Sequence, residues 1–286
     1  MTNKYFFHQV DVFSKEPLLG NPLAVVHGAD DLPKAQMAQF ANWNNLSETT
    51  YIQKPVHPLA DYRVRIFTPN TELPFAGHPT LGSCYAWLEN GGVPKSTEFI
   101  YQECEVGLIK IRRENDLLSF SAPALLRTGP LDQETLENLL TALDLTSADV
   151  VQHQWVDNGP GWCALMLRSA EHVLRIKPDA QKLKSFKVGL IGPYSNSNEI
   201  DFEVRAFVVP FGITEDPVTG SLNAGIASWL INSGLSNTLL KNSTNTYTVS
   251  QGTALGRRGR VFVKKVGQDI WIGGNVVSCI QGSVRL

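Results

Sequence analysis

The sequence carries no excess of charge of either sign. Its 25 Lys and Arg stand against 27 Asp and Glu, for a net charge of −2. That gives no electrostatic reason to expect nucleic acid or an anionic membrane as a partner. No run approaches the 18 or more apolar residues of a membrane-spanning helix. The opening MTNKYFFHQVDVF has neither a long apolar stretch nor a small-residue cleavage site, so no secretory signal is expected and a cytoplasmic location follows by default. Cysteine is sparse: Cys84, Cys104, Cys163 and Cys279 lie far apart, and none forms a CxxC pair. Buried free thiols are expected rather than a disulfide framework. No His/Asp/Glu set has recognisable ligand spacing either, which speaks against a metallohydrolase.

What is present is a chain able to build a large core. Of 286 residues, 43% are hydrophobic and only 18% charged, enough for one large domain or two of ordinary size. Strand-like runs dominate the first part: 5–13, 23–28, 49–53, 62–68, 98–104, 106–113 and 117–122. The stretch 131–145 then changes period, with Leu136, Leu139, Leu140 and Leu143 on one helical stripe and Asp132 near its start. Strands are expected to resume at 150–156, 162–168, 172–176, 188–192, 202–209, 246–252, 259–266 and 269–274. Glycine and proline in RTGPLD, 127–132, mark a boundary. Two domains follow, 1–126 and 127–286, with the last strand free to cross back to the first.

The halves resemble each other. Arg65-Ile66-Phe67 returns as Arg205-Ala206-Phe207, 140 positions later, and Ala86-Trp87-Leu88 is echoed by Ser228-Trp229-Leu230, 142 positions later. GNPLAVV (20–26) answers PGWCALM (160–166), and LIKIRR (108–113) answers RVFVKK (260–265). The matches keep a common order, which favours internal duplication. Each half also holds one stretch with almost no charge: no charged side chain occurs from Pro79 to Leu88, nor between Pro217 and Leu240. A helix apolar on all sides is a buried helix, and the small residues Gly82, Ser83, Ala86, Ala224, Gly225 and Ala227 let surrounding backbone come close. The fold class expected is therefore α+β: two pseudo-duplicated domains, each a curved, mainly antiparallel sheet wrapped around a central buried helix.

Both buried helices open in loops with no good side-chain cap. Gly77 and His78 precede Pro79, where Ser, Thr, Asp or Asn would close the helix. An open helix start presents backbone N–H groups and the positive end of a dipole to an anion, here near Gly77–Thr80 and Thr219–Ser221; a loop carbonyl or a water filling the place is the alternative. Asp216 has a further alternative, turning back to cap the second helix. Glu48 lies in a turn just before a strand, where a glutamate also fits a solvent-facing position. Together Glu48, His78 and Asp216 supply two carboxylates and an imidazole, a set suited to proton transfer at a carbon acid.

The motifs DVFSKEPLLGNPLAVV, NLSETTYI, RIFTPNTELPFAGHPTLG, EDPVTGS and GRRGRVFV…IWIGGNVV run in order over essentially the whole chain and resemble the phenazine biosynthesis PhzF-like isomerase family. That resemblance implies the diaminopimelate epimerase-like fold, two similar domains with the active site between them, and a homodimer. It implies Glu48 as the catalytic glutamate, His78 and Asp216 as its polar supports, and Gly77, Gly220 and Ser221 as backbone-rich binding positions, with Thr80 and Thr219 beside them. Related epimerases and racemases use two facing cysteines at the helix starts. Here those positions read Gly77 and Thr219-Gly220, so two-thiol racemisation is closed to this site. A single glutamate moving a proton between two carbons of a small carboxylated substrate is the reading that remains, with a non-catalytic small-molecule-binding or regulatory protein on the same scaffold as the alternative. Asn223 and Tyr51 are further candidates for shaping the pocket.

Overall fold

The structure is a computed structural model that describes residues 3–195, 197, 199–240 and 245–286. The chain divides into two units: residues up to Ser121 together with Gly273–Leu286, and Ala122–Ile272.

The first unit runs β1 (Lys4–Val12), β2 (Asn21–Val26), α1 (Lys34–Asn44), β3 (Glu48–Gln53), β4 (Tyr62–Phe67), β5 (Glu72–Leu73), α2 (Gly77–Glu89), β6 (Ile100–Cys104), β7 (Gly107–Glu114) and β8 (Leu117–Ser121). The second runs α3 (Gln133–Leu143), β9 (Val150–Trp155), β10 (Trp162–Leu167), α4 (Ala170–Arg175), β11 (Lys187–Pro193), β12 (Phe202–Phe207), β13 (Glu215–Asp216), α5 (Gly220–Asn232), α6 (Leu235–Leu239), β14 (Thr246–Gln251) and β15 (Gly259–Val266). The last strand, β16 (Asp269–Arg285), starts in the second unit and belongs to the first from Gly273 onward. No helix is long and apolar enough to cross a membrane among the described residues.

In the first unit the strands pair in the order β1-β2-β3-β4-β6-β7-β8-β16, and β16 pairs with β1. The ring is closed, with Lys4 opposite Arg285 and Val12 opposite Val276. Most neighbours are antiparallel; β2–β3 and β4–β6 are parallel. Alternation along a strand sends neighbouring side chains to opposite faces. In β3 this puts Tyr51 with Met37, Phe40 and Ala41 of α1, where its hydroxyl donates to the Met37 carbonyl at 2.6 Å. Tyr51 therefore does not shape a pocket beside Glu48; it faces the other way. Thr50, on the opposite face, receives the Ser83 hydroxyl of α2 at 2.8 Å. α2 packs against β1, β2, β3, β6 and β8. A Cβ on Gly82 would come 2.5 Å from the Leu23 side chain and 2.9 Å from that of Val12, so the helix–sheet approach requires glycine there.

The second unit pairs its strands in the order β9-β10-β11-β12-β14-β15-β16, with β13 on β12. One face carries the apolar stripe of α3, with Leu139 and Leu143, on Cys163, Leu165, Val188 and Leu190. Asp132 caps α3 by accepting from the Thr135 amide at 2.9 Å. α5 packs on the other face, where Leu222 fills the space above Gly189 and the Val156 carbonyl lies against Gly225.

Several expectations change. Of the expected strand 172–176, residues 172–175 are helical, because Ser169 accepts from the His172 amide and starts α4, and only Ile176 is extended. RTGPLD is no free linker: the Arg127 amide donates to the Asp157 carbonyl at 3.2 Å, and the Gly129 carbonyl accepts from the Trp155 amide at 2.8 Å. This stretch is tied into the second unit, and the division falls at 121/122. α2 and α5 are both 13 residues long and start 143 positions apart. The true correspondence is thus one residue from the match on Trp87 and Trp229, and Trp87 answers Leu230. All four cysteines are free, but Cys279 is only half-buried.

The first unit also buries two histidines against each other. His8 Nδ1 and His27 Nε2 lie 2.9 Å apart, and the Asn90 amide nitrogen is 3.3 Å from His27 Nδ1. An amide NH2 can only donate, so the proton of His27 sits on Nε2 and points at His8. Burial first, and His8 second, lower the pKa of His27 to about 4. The unfolded chain takes up that proton near 6.5. The stability this pair contributes is therefore complete above pH 6.5 and is lost as the pH falls towards 4. Urea unfolding across that window is expected to show a loss on the order of 2–3 kcal/mol, reduced in His27→Gln; parallel pH dependences for both proteins would rule the pair out as its source.

Candidate active site

The turn between α1 and β3 aims Glu48. Asn45 ends α1 in the left-handed region, with φ 56°. The Asn44 carboxamide bridges to Thr49, its nitrogen donating to the hydroxyl at 2.8 Å, while its oxygen accepts from the Leu46 amide at 3.1 Å. The chain thus enters β3 with Glu48 and Thr50 on the face that meets α2. Glu48 Oε2 lies 3.2 Å from His78 Nδ1, with His78 4% and Glu48 17% exposed. Sequence-distant by 30 positions, the two candidates meet inside one unit. α2 begins at Gly77, two residues before the expected Pro79, because extended Ala76 serves as N-cap. His78 is consequently a first-turn residue, not a flanking one. No side chain caps this helix. Thr80 is occupied: its amide and hydroxyl donate to the Ala76 carbonyl at 3.2 and 2.9 Å, and its hydroxyl accepts from Gln102 at 3.0 Å.

The start of α5 has a corresponding build. Thr219 is its N-cap, again without a side-chain cap. Asp216 Oδ2 receives the Thr219 hydroxyl at 2.5 Å. Gln251 Oε1 accepts from the Thr219 amide at 3.1 Å and from Asn223 Nδ2 at 2.8 Å, and Gln251 Nε2 donates to the Thr219 hydroxyl at 3.0 Å. Gly220 is buried as the first helical residue. Ser221, half-buried, accepts at Oγ from the Trp162 indole N–H at 3.0 Å, and its carbonyl accepts from Asn158 at 2.9 Å. Its own hydroxyl proton remains for another acceptor. Gln102, Gln251, Trp162 and Asn158 carried no motif in the sequence and are found only through these contacts; Asn223 turns out to be a member of the Gln251 network.

The segments leading into both helices are clamped alike. Arg65 grips Glu72 through Nε and Nη2 at 2.7 and 2.9 Å; Arg205 grips Glu215 the same way, at 2.9 and 2.7 Å. Each arginine also lies over a phenylalanine two residues on, Phe67 at 5.2 Å and Phe207 at 4.9 Å. The recurring Arg-x-Phe followed by Glu was the visible signal for this pair. Register then identifies the counterpart of Glu48. Thr49 stands opposite Phe67, and Val188 opposite Phe207, so Lys187 begins β11 where Glu48 begins β3. Lys187 donates to the Pro160 carbonyl and lies 4.6 Å over the Phe211 ring. Burial holds its amine below the usual range. The thiol nearest the first helix start, Cys84, is pushed by burial to about 12 and stays protonated. Among the described residues no three His, Cys, Asp or Glu side chains group as metal ligands.

Residues 10–282 match the family model described as phenazine biosynthesis-like protein. Antisense-enhancing sequence 1 of Schizosaccharomyces pombe is 36% identical over 98% of this chain and 98% of its own length. The trans-2,3-dihydro-3-hydroxyanthranilate isomerase of Pseudomonas fluorescens is 32% identical over 97% and 98%. The crystal structure of a phenazine biosynthesis protein PhzF family member from Enterococcus faecalis superposes with a TM-score of 0.80 at 25% identity, covering 99% of this chain and 100% of that one.

The two clamps differ in what remains when the arginine is removed. Glu215 has a side chain 6% exposed, whereas Glu72 keeps Lys34 at 2.7 Å. Arg205→Met is therefore expected to cost about 3–5 kcal/mol by stranding a buried carboxylate, and Arg65→Met about 1–2 kcal/mol. Chemical denaturation of both variants reads the difference; equal losses would refute it.

Proposed function

This chain belongs to the phenazine biosynthesis-like family of isomerases, and on that premise we propose that it moves a proton between two carbons of a small carboxylated substrate by glutamate acid/base catalysis, without a metal or cofactor. Glu48 is the base and then the acid. It removes a proton from one carbon and returns it to another on the same face, so no second group is needed to receive it. His78, in contact with Glu48 Oε2, orients the carboxylate and assists the transfer. Asp216 holds a polar group of the substrate. The first-turn amides after Ala76 and Thr219, with the Ser221 hydroxyl, bind the substrate carboxylate and the enolate-like charge that develops on proton removal; Gly77, Thr80 and Gly220 form the walls of those starts. The observation that carries this reading is the 3.2 Å approach of Glu48 to His78 at the first turn of a helix that no side chain caps. The finer description of the fold, with each sheet wrapped around its helix, is supported by the contacts of α2 with five strands.

A second reading draws on the relative named antisense-enhancing sequence 1, a name that describes regulation rather than isomerisation. On it, the chain binds a small carboxylate at the same residues without turning it over.

Solvent deuterium incorporation separates the two. Small carboxylic acids that raise the melting temperature, with trans-2,3-dihydro-3-hydroxyanthranilate among them, are incubated in deuterium oxide and followed by NMR. Exchange is expected with the native protein and is expected to fall at least 100-fold in Glu48→Gln, with the melting temperature retained. Ligands that bind but never exchange would favour the regulatory reading, and full turnover by Glu48→Gln would remove the glutamate mechanism.

A further inference from the structure

We propose that Gln251 is a positioning residue that acts through the Thr219 hydroxyl to hold Asp216 as a hydrogen-bond acceptor. The proposal rests on the isomerase reading for the task it gives Asp216, and on geometry alone for the rest.

The direction of every bond in this chain follows from one backbone group. The Thr219 N–H can only donate, and it reaches a single atom of the Gln251 carboxamide at 3.1 Å. That atom must be Oε1. The Asn223 amide nitrogen donates to the same oxygen at 2.8 Å, while also donating to the Thr219 carbonyl at 2.8 Å. With Oε1 fixed, the other arm is Nε2, which donates to the Asp216 carbonyl at 3.2 Å and to the Thr219 hydroxyl at 3.0 Å. The hydroxyl oxygen is then an acceptor on that side. Its one proton goes to Asp216 Oδ2, 2.5 Å away. Flipping the carboxamide would set N–H against N–H at Thr219. Gln251 is wholly buried and Thr219 nearly so, so water does not offer substitutes. A proton placed on Oδ2 would face the hydroxyl proton, with the far side of that hydroxyl already taken by Gln251. Asp216 is accordingly kept an acceptor at Oδ2, while Glu48 carries the moving proton.

The first unit contains the same device without this extension. Gln102, also wholly buried, donates to the fourth residue of α2, Thr80, as Gln251 engages the fourth residue of α5, Asn223. There the chain ends inside the helix, because the Thr80 hydroxyl donates to the Ala76 carbonyl. Ala76 stands at the N-cap, where α5 has Thr219. Register places Leu73 opposite Ile66 where Asp216 stands opposite Ala206. A buried helix of this kind is therefore seated by a glutamine without any hydroxyl-to-carboxylate relay. The relay in the second unit is an addition that helix docking does not demand.

Two readouts test the assignment, one of them independent of turnover. A hydroxyl proton in so short a bond to a carboxylate exchanges slowly and resonates far downfield. In the substrate-free protein, proton NMR is expected to show this signal with contacts to the Thr219 methyl group. It is expected to disappear in Thr219→Val, to move upfield or broaden in Gln251→Met, and to persist in Thr219→Ser. Gln102→Met is expected to lower the melting temperature while leaving the signal in place. In the deuterium-exchange assay, Gln251→Met and Thr219→Val are expected to lower kcat about tenfold with KM little changed, and Thr219→Ser to regain much of the loss. An unaltered hydroxyl signal in Gln251→Met overturns the proposal even if exchange is never detected. A lost signal without any exchange activity would leave the positioning intact and refute only the isomerase reading.

Discussion

A bidentate grip of arginine on glutamate underlies both candidate helix starts. A two-residue strand such as β5 or β13 has too few ladder bonds to hold itself, and the loop beyond it must deliver a helix at a defined angle. The guanidinium supplies two parallel, charge-assisted bonds in one plane. On Arg205 it also donates from Nη1 to the carbonyls of Val173 and Ile176. That ties the end of α4, the strand β12 and the segment bearing Asp216 into one rigid corner.

The frame is duplicated but the chemistry is not. Glu48 is matched in register by Lys187, His78 in helix position by Ser221, and Asp216 in register by Leu73. Each pair holds an equivalent place and differs in proton capacity. One half presents a carboxylate against an imidazole. The other presents a hydroxyl whose oxygen is taken by an indole N–H, and a carboxylate fixed as acceptor.

The features legible in the sequence were those written in local pattern. The charge-free stretches identified α2 and α5, the leucine stripe identified α3, and the repeated Arg-x-Phe revealed the duplication. Glu48 and His78 were nominated by motif, and their proximity came from the fold. What escaped was set by long-range pairing. Gln251 lies at the end of an ordinary alternating strand, 32 residues from Thr219, and nothing local distinguishes it. The expected strand at 172–176 failed because a single serine cap outweighed five residues of apolar alternation. Tyr51 was misassigned for a simpler reason: the neighbour of a catalytic candidate on a strand points to the opposite face. A last strand free to cross back to the first domain was expected, but its pairing with β1 to close the sheet was not, since strand period says which residues face inward but not which strand completes the ring.

That closure fixes an order of events during synthesis. The strand that fills the gap between β8 and β1 follows the whole of the second unit in the chain, so the first unit, although begun first, stays open along two edges until the second has been synthesised. Ala122–Ile272 is continuous and has all of its own partners earlier. Pairings between Lys4 and Arg285 span nearly the full chain, the most demanding separation a contact can have for folding rate. Until they form, β1 and β8 expose unpaired backbone. A nascent or C-terminally truncated chain would therefore carry a finished second unit beside an unsealed first one, vulnerable to chaperone capture and to edge-to-edge association.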